Sequence, residues 1–215
     1  AFAPLLDRIG DATSYFNVDT YSSFLVNKLG KKVAHDNIIL RDDATIENGV
    51  GSQHFDSEGV PSKNNTIIDE GILKTYLHNT STAKKANSQT TANSGLIAPQ
   101  PWNLTLDSTK KLKKEQLFKE IKNGLYITNI WYTRFQNQET GEFSTIPRDA
   151  IFIIKNGGIV GSIKGIRISD FMPRILENIT LIANDFKQIR SWEADIPCTI
   201  PHLLVKNVNV TTSTG

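Results

Sequence analysis

A lone cysteine, Cys198, excludes any intrachain disulfide and fits a reducing compartment such as the cytoplasm. No apolar run approaches the roughly 18 residues that a membrane-spanning helix needs. The apolar opening "AFAPLLDRIG" is broken by Asp7, Arg8 and Asp11, which excludes a signal-peptide core. Phosphate-cradling and nucleophile-elbow patterns (G-x-G-x-x-G, the Walker sequence, G-x-S-x-G) are missing, as is His-Glu-x-x-His. None of His35, His54, His78 and His202 pairs with another at helical spacing. Asn-x-Ser/Thr triplets at Asn64, Asn79, Asn103, Asn178 and Asn209 read as chance in an Asn-rich cytoplasmic chain.

What remains is ordinary globular material. At 39% hydrophobic the 215 residues can bury a sizeable core. A net charge of +2 gives no polyelectrolyte character. The densest basic run, "KKLKKEQLFKE" (110–120), carries two Glu and no alternating aromatics, so it reads as a solvated helix face. A regulatory or nucleic-acid-associated module resting on this run is an alternative reading, tested by salt-dependent DNA binding.

Helix signals fall at the opening segment and at 19–34, where Asp19 or Thr20 caps a stripe of Phe24, Leu25, Leu29 and Val33. Further helices are expected at "STAKKA" (capped by Ser81), at "KKEQLFKEIKNG" (closed by Gly124) and at "DFMPRILENI". Strands are expected at "NIILRDD", "NLTLD", "LYITNIWY", "AIFIIKNGGIVGSI" with an Asn156–Gly157 turn, "KGIRISD" and "PHLLVKNVNV". A hairpin joins Thr66–Ile68 to Ile72–Leu77 through Gly71, which can take positive φ. Two long polar stretches, 45–64 and 87–101, read as loops. The pattern predicts an α+β domain with a mixed, largely antiparallel sheet, either barrel-like or a sandwich, with a few packed helices.

No self-contained active site emerges. His54 and His78 flank the long loop and hairpin, and Cys198 and His202 share an extended face, yet each pair is an incomplete metal set. Asp42–Asp43 and Asp56–Glu58 are paired carboxylates without a partner base. Gly59 and Pro61 shape the loop around Asp56 and Glu58. "WYTRFQNQETGEFS" puts Trp131, Tyr132, Arg134 and Phe135 together, the residue types that anchor peptide or protein contacts.

The stretches "SSFLVNKLGKKVA", "FDSEGVPSKNNTIIDEGILKTYLHNTSTAKKA", "EQLFKEIKNGLYIT", "NQETGEFS", "FIIKNGGIVGSIKGIRIS" and "ILENITLIANDF" occur in family order over nearly the whole chain. In them the sequence resembles the C-terminal domain of the PmbA/TldD family, which carries a DNA-gyrase-modulator label and is associated with zinc-dependent peptide processing. The resemblance implies residues 1–215 as that domain, with the family's N-terminal domain absent and Ala1 marking a truncated, proteolysed or shortened chain. Catalytic members carry a His-Glu-x-x-x-His helix and a Cys near the C-terminal end. Here the two His places fall approximately on Leu5 and Gly10, and Cys198 is not at the third ligand's place. The chain is thus most similar to the non-metal, TldE-like type. This implies a non-catalytic subunit, with zinc confined to a catalytic partner, that pairs with a homologue or with itself around a peptide substrate. A zinc peptidase using unorthodox ligands such as His54, His78 or His202 is the alternative.

Overall fold

The computed structural model describes residues 1–212. Three sheets carry the fold. The six-stranded sheet runs in the order β11 (Lys187–Ser191), β12 (Ala194–Ile200), β4 (Leu104–Ser108), β1 (Ile38–Asp43), β2 (Asn64–Asp69), β3 (Ile72–Leu73). A three-stranded sheet holds β13 (Leu203–Val205), β10 (Ile179–Ala183) and β5 (Lys111–Leu112). The third is built on a long ribbon of β6 (Asn123–Asn137) and β7 (Glu142–Lys155), extended by β8 (Gly158–Ser162), β9 (Ile166–Phe171) and β14 (Val210–Thr212). Among the strands of the described residues, only β12–β4 and β10–β5 pair in parallel. The class is α+β with mixed, largely antiparallel sheets, and among the described residues no barrel closes.

The helices are α1 (Ala3–Thr13), α2 (Tyr15–Asp19), α3 (Thr80–Lys85), α4 (Lys114–Lys119) and α5 (Met172–Glu177). Helix α1 packs Leu6 and Ile9, both fully buried, with Leu104 and Leu106 of β4 and Cys198 of β12 in one core. Pro4 sits in its first turn, where a missing N–H costs nothing.

The helix expected at 19–34 does not form. Tyr21, Asn27 and Gly30 take left-handed φ of 57°, 58° and 73°, which breaks any helical run. The backbone bonds the hairpin instead: Gly30 N–H to the Leu73 carbonyl, Leu73 N–H to Lys31, and Val33 N–H to Gly71. Phe24, Leu25 and Val33 are buried by this wrapping, while Leu29 is left exposed. Tertiary hydrogen bonds thus override the helical stripe.

Other boundaries shift for equally local reasons. Helix α3 is capped by Asn79, not Ser81, through a reciprocal box with Thr82 at 2.8 and 3.1 Å. Helix α4 stops at Lys119, and Gly124 pairs with Ile154 in the ribbon instead of capping. The carbonyls of Ile121 and Lys122, just beyond α4, accept from Gly157 and Asn156 and fasten the chain leaving the helix to the β7–β8 turn. The turn itself has Asn156 and Gly157 at φ 47° and 80°, as a tight hairpin demands. The expected terminal strand divides at Asn207 (φ 56°): β13 joins one sheet and β14 another. Strands β10 and β11 carry no turn-bounded alternation that announces them. Pro197 is tolerated inside β12 because the ladder to β11 is irregular there and β4 pairs only with Cys198 and Thr199.

Gly59 and Gly71 both take left-handed φ, 78° and 79°, in different surroundings. A Cβ at Gly59 meets nothing within 4 Å, whereas one at Gly71 lies 2.6 Å from the Ala34 carbonyl oxygen. Gly59→Val is therefore expected to cost the backbone term alone, about 1–2 kcal/mol. Gly71→Val should cost clearly more. Denaturant unfolding of the two variants checks both, and equal losses would contradict the contact at Ala34.

Candidate functional site

The polar side of α1 opens on a cleft of about 320 Å³. Arg8, Asp11, Asn17 and Phe24 form one wall, and Thr133, Arg134, Phe135 and Gln138 at the end of β6 form the other. The cleft follows from helix periodicity: Leu5, Leu6 and Ile9 face the core, so Arg8 and Asp11 emerge at its margin. Asp7 is the exception, a buried carboxylate that accepts from Ile196 N–H at 2.9 Å and ties α1 to β12.

Two guanidiniums line this space. Arg8 Nη1 reaches Asp11 at 3.4 Å and Asp7 at 3.8 Å. Arg134 Nη1 donates to the Thr133 carbonyl at 2.7 Å and lies 3.5 Å from buried Glu193, while its plane sits 4.8 Å over the Tyr132 ring. Glu193 in turn accepts from Thr133 N–H at 3.0 Å. Burial, and then the neighbouring Asp7 charge, push the Asp11 carboxyl up to about 6. Its side chain is still 47% exposed, so this is a crowded carboxylate at a rim and not a sealed one.

The residues singled out by sequence fall in several places. Arg134 and Phe135 wall the cleft. Tyr132, at φ 60° in an irregular stretch of the ribbon, is 54% exposed. Trp131 is clamped, with the Arg148 guanidinium 3.7 Å above it and Trp192 edge-on at 5.3 Å. Asp56 and Glu58 lie outside the cleft and are committed to their own loop. Asp56 accepts from the N–H groups of Glu58, Val60 and Ser94, each at 3.0 Å. Glu58 accepts from Thr80 N–H and Oγ1 at the start of α3. Pro61 bridges Phe55 at the loop's exit. A second, more open groove of about 580 Å³ follows β2 and residues 87–91, with Lys63 its only charged lining group. The cleft, not this larger groove, holds the titratable chemistry. Arg8 and Asp11 escaped sequence reasoning because nothing in their spacing distinguishes them from any helix's polar margin.

The metal-ligand candidates do not converge. His54 is exposed in its loop, while His78 is buried against Tyr15 at 4.7 Å, burial lowering its pKa. Cys198 lies in the core, its thiol pushed well up by burial, and His202 instead joins Asp185 at 2.6 Å and Tyr126 at 3.0 Å. Asp42 is fully buried among three donors, and Asp43 organises a turn at Thr45. Among the described residues no group of three or more His, Cys, Asp or Glu is placed to hold a metal. Leu5 and Gly10 face the core: a Cβ at Gly10 would stand 2.4 Å from Leu104 Cδ1. A zinc ion does not fit this donor set.

A family model described as the PmbA/TldA metallopeptidase C-terminal domain matches residues 1–212. A metalloprotease of Methanocaldococcus jannaschii is 30% identical over 189 residues, 84% of this chain and 41% of that protein. A metalloprotease PmbA homologue of Buchnera aphidicola is 32% identical over 179 residues, covering 83% and 38%. Among solved structures, a Thermotoga maritima protein described as a candidate modulator of DNA gyrase superposes with TM-score 0.88 at 30% identity, covering 98% of this chain and 47% of that one. TldE of Thermococcus kodakarensis, at 22% identity, shares the fold with TM-score 0.86, covering 98% and 48%. The chain spans less than half the length of these relatives.

Two outcomes test the site. The Asp11 carboxyl carbon resonance should titrate near pH 6. Because that value lies above the ordinary 3.8, the fold binds this proton better than the unfolded chain, so the group adds stability as pH falls from about 7 toward 4. Asp11→Asn should remove that increment, seen as a flatter pH dependence of the melting midpoint. Gly10→His should cost about 1–3 kcal/mol through overpacking against Leu104 and, even with Leu5→His, confer no stoichiometric zinc by elemental analysis.

Proposed function

The chain belongs to the PmbA/TldD metallopeptidase family, and from that premise we propose that it serves as a non-catalytic partner subunit of a peptide-processing metalloprotease. The observation that carries this reading is the placement of Leu5 and Gly10. The helix on which the resemblance sets the metal ligands turns these positions into the core, and no other donor set converges among the described residues. The zinc chemistry then belongs to a homologous catalytic subunit, and this chain supplies wall and substrate contacts.

In that role the cleft holds one stretch of substrate. Phe24 and Phe135 offer apolar wall, Asn17 and Gln138 offer amide donors and acceptors, and Arg134 and Asp11 offer one charge of each sign. A peptide presents all three chemistries. Tyr132, outside the cleft, is available to the partner. Among the described residues no helix is long and apolar enough to cross a membrane. We place the protein in the cytoplasm on its single, buried thiol.

Protein purified without added metal is expected to carry far less than one zinc per chain. Stoichiometric, tightly held zinc would overturn the reading, since such binding requires a complete three- or four-ligand set. Added to a catalytic-type relative, the chain should raise peptide cleavage above that of the relative alone. Arg134→Ala should lower kcat/KM of the mixture by about tenfold, the loss of one charged contact, with the partner's zinc content unchanged.

A further inference from the structure

Leu96 and Ile97 are 95% and 84% exposed, at the tip of the loop between α3 and β4. Two adjacent aliphatic side chains in water are unusual, and here the backbone beneath them is tightly built. Thr91 to Gly95 are buried. Gly95 N–H donates to the Ala98 carbonyl at 3.1 Å and Gln100 N–H to Asn93 at 2.9 Å, closing the loop on itself. A Cβ at Gly95 would lie 2.8 Å from the Ala98 oxygen, so this turn needs glycine. Below, Ser94 N–H is held by Asp56 at 3.0 Å, and the Ser94 carbonyl accepts from Ser57 N–H at 3.0 Å. Phe55, 62% exposed, stands beside Asp56 on that adjoining loop. The apolar tip is thus presented on a fixed base and could have been folded inward only by breaking that base.

The charges around it narrow what covers it. Residues 86–106 contain no Asp, Glu, Lys, Arg or His. The adjoining loop, 44–62, contributes Glu47, Asp56 and Glu58 and no Lys or Arg. Lys63, just past that loop, is committed to the Thr90 carbonyl at 2.8 Å, and Lys85, just before residue 86, is paired with Asp19 at 2.6 Å. An anionic lipid surface or nucleic acid selects clustered Lys and Arg, which this rim lacks. Protein interface cores are, by contrast, apolar and poor in charge.

We infer that Leu96 and Ile97 form a docking knob that seats in an apolar socket, with a neutral or basic rim, on the homologous partner subunit. This rests on the partner-subunit reading and adds to it the element that makes the contact. The knob is preformed, so little ordering entropy opposes docking, and its aliphatic pair fills the place of a buried interface anchor.

The test titrates an intact catalytic-type family member, bearing the His-Glu-x-x-x-His helix, into the full chain by analytical ultracentrifugation. Three forms of the chain are compared: wild type, Leu96→Ser/Ile97→Ser and Tyr132→Ala. Both exposed sites should tolerate serine with an unchanged melting midpoint, and the double variant should bind about tenfold or more weakly. Unchanged affinity of the double variant would overturn the knob while leaving the partner-subunit reading intact. If wild type forms no complex, that reading fails and the knob with it. Two further results would also overturn it: wild-type binding to phosphatidylglycerol vesicles lost in the double variant, or a wild-type homodimer that becomes monomeric on the same change.

Discussion

Asp42 is a carboxylate with no exposed surface, and most of the irregular chain on its side of the molecule is arranged around satisfying it. One oxygen accepts from Trp102 and Asn103 N–H at 2.7 and 2.8 Å, and the other from Asn93 Nδ2 at 2.6 Å. Burial raises its pKa to about 6, with those three bonds pulling the other way. A buried charge left without such partners would cost several kcal/mol. The consequence spreads outward. Asn93 also donates to Gln100, closing the loop that lifts Leu96 and Ile97. Asn103 donates to Asp43 and Ser52 and accepts from Gly51 N–H, fixing the turns after β1. Asp56 repeats the device one loop away. Long polar loops are held by buried carboxylates here instead of by an apolar core.

Helix α1 shows the same economy of place. Its apolar stripe is a structural surface against β4 and β12, with Leu5 buried in it and Gly10 admitting close approach of Leu104. Its remaining margin supplies Arg8 and Asp11 to the cleft. The two features are coupled, because the same rotation of the helix buries Leu6 and Ile9 and brings Arg8 and Asp11 to the cleft.

Segments whose partners lie next to them in sequence were legible. The Asn156–Gly157 hairpin, the β2–β3 turn at Gly71 and the amphipathic opening helix each carry their cause within a dozen residues. The stripe at 19–34 misled because its donors are taken by residues 71–73, some forty positions on. Gly124 misled because it pairs with Ile154, thirty positions on, as a residue of the ribbon instead of capping α4. Asp56 and Glu58 were visible as a carboxylate pair, but only their distant partners Ser94 and Thr80 reveal that they build a loop.

By itself, then, the sequence determined the class and the family, since these depend on which residue types are present and in what order. Tertiary structure alone decided which charges share a cleft and which are consumed as scaffold. Arg8 and Arg134 stand 126 positions apart in the chain and meet across one cavity. Local periodicity places each on a face of its own element, but the angle at which α1 crosses the ribbon comes from packing the whole core, and no short stretch of sequence encodes it.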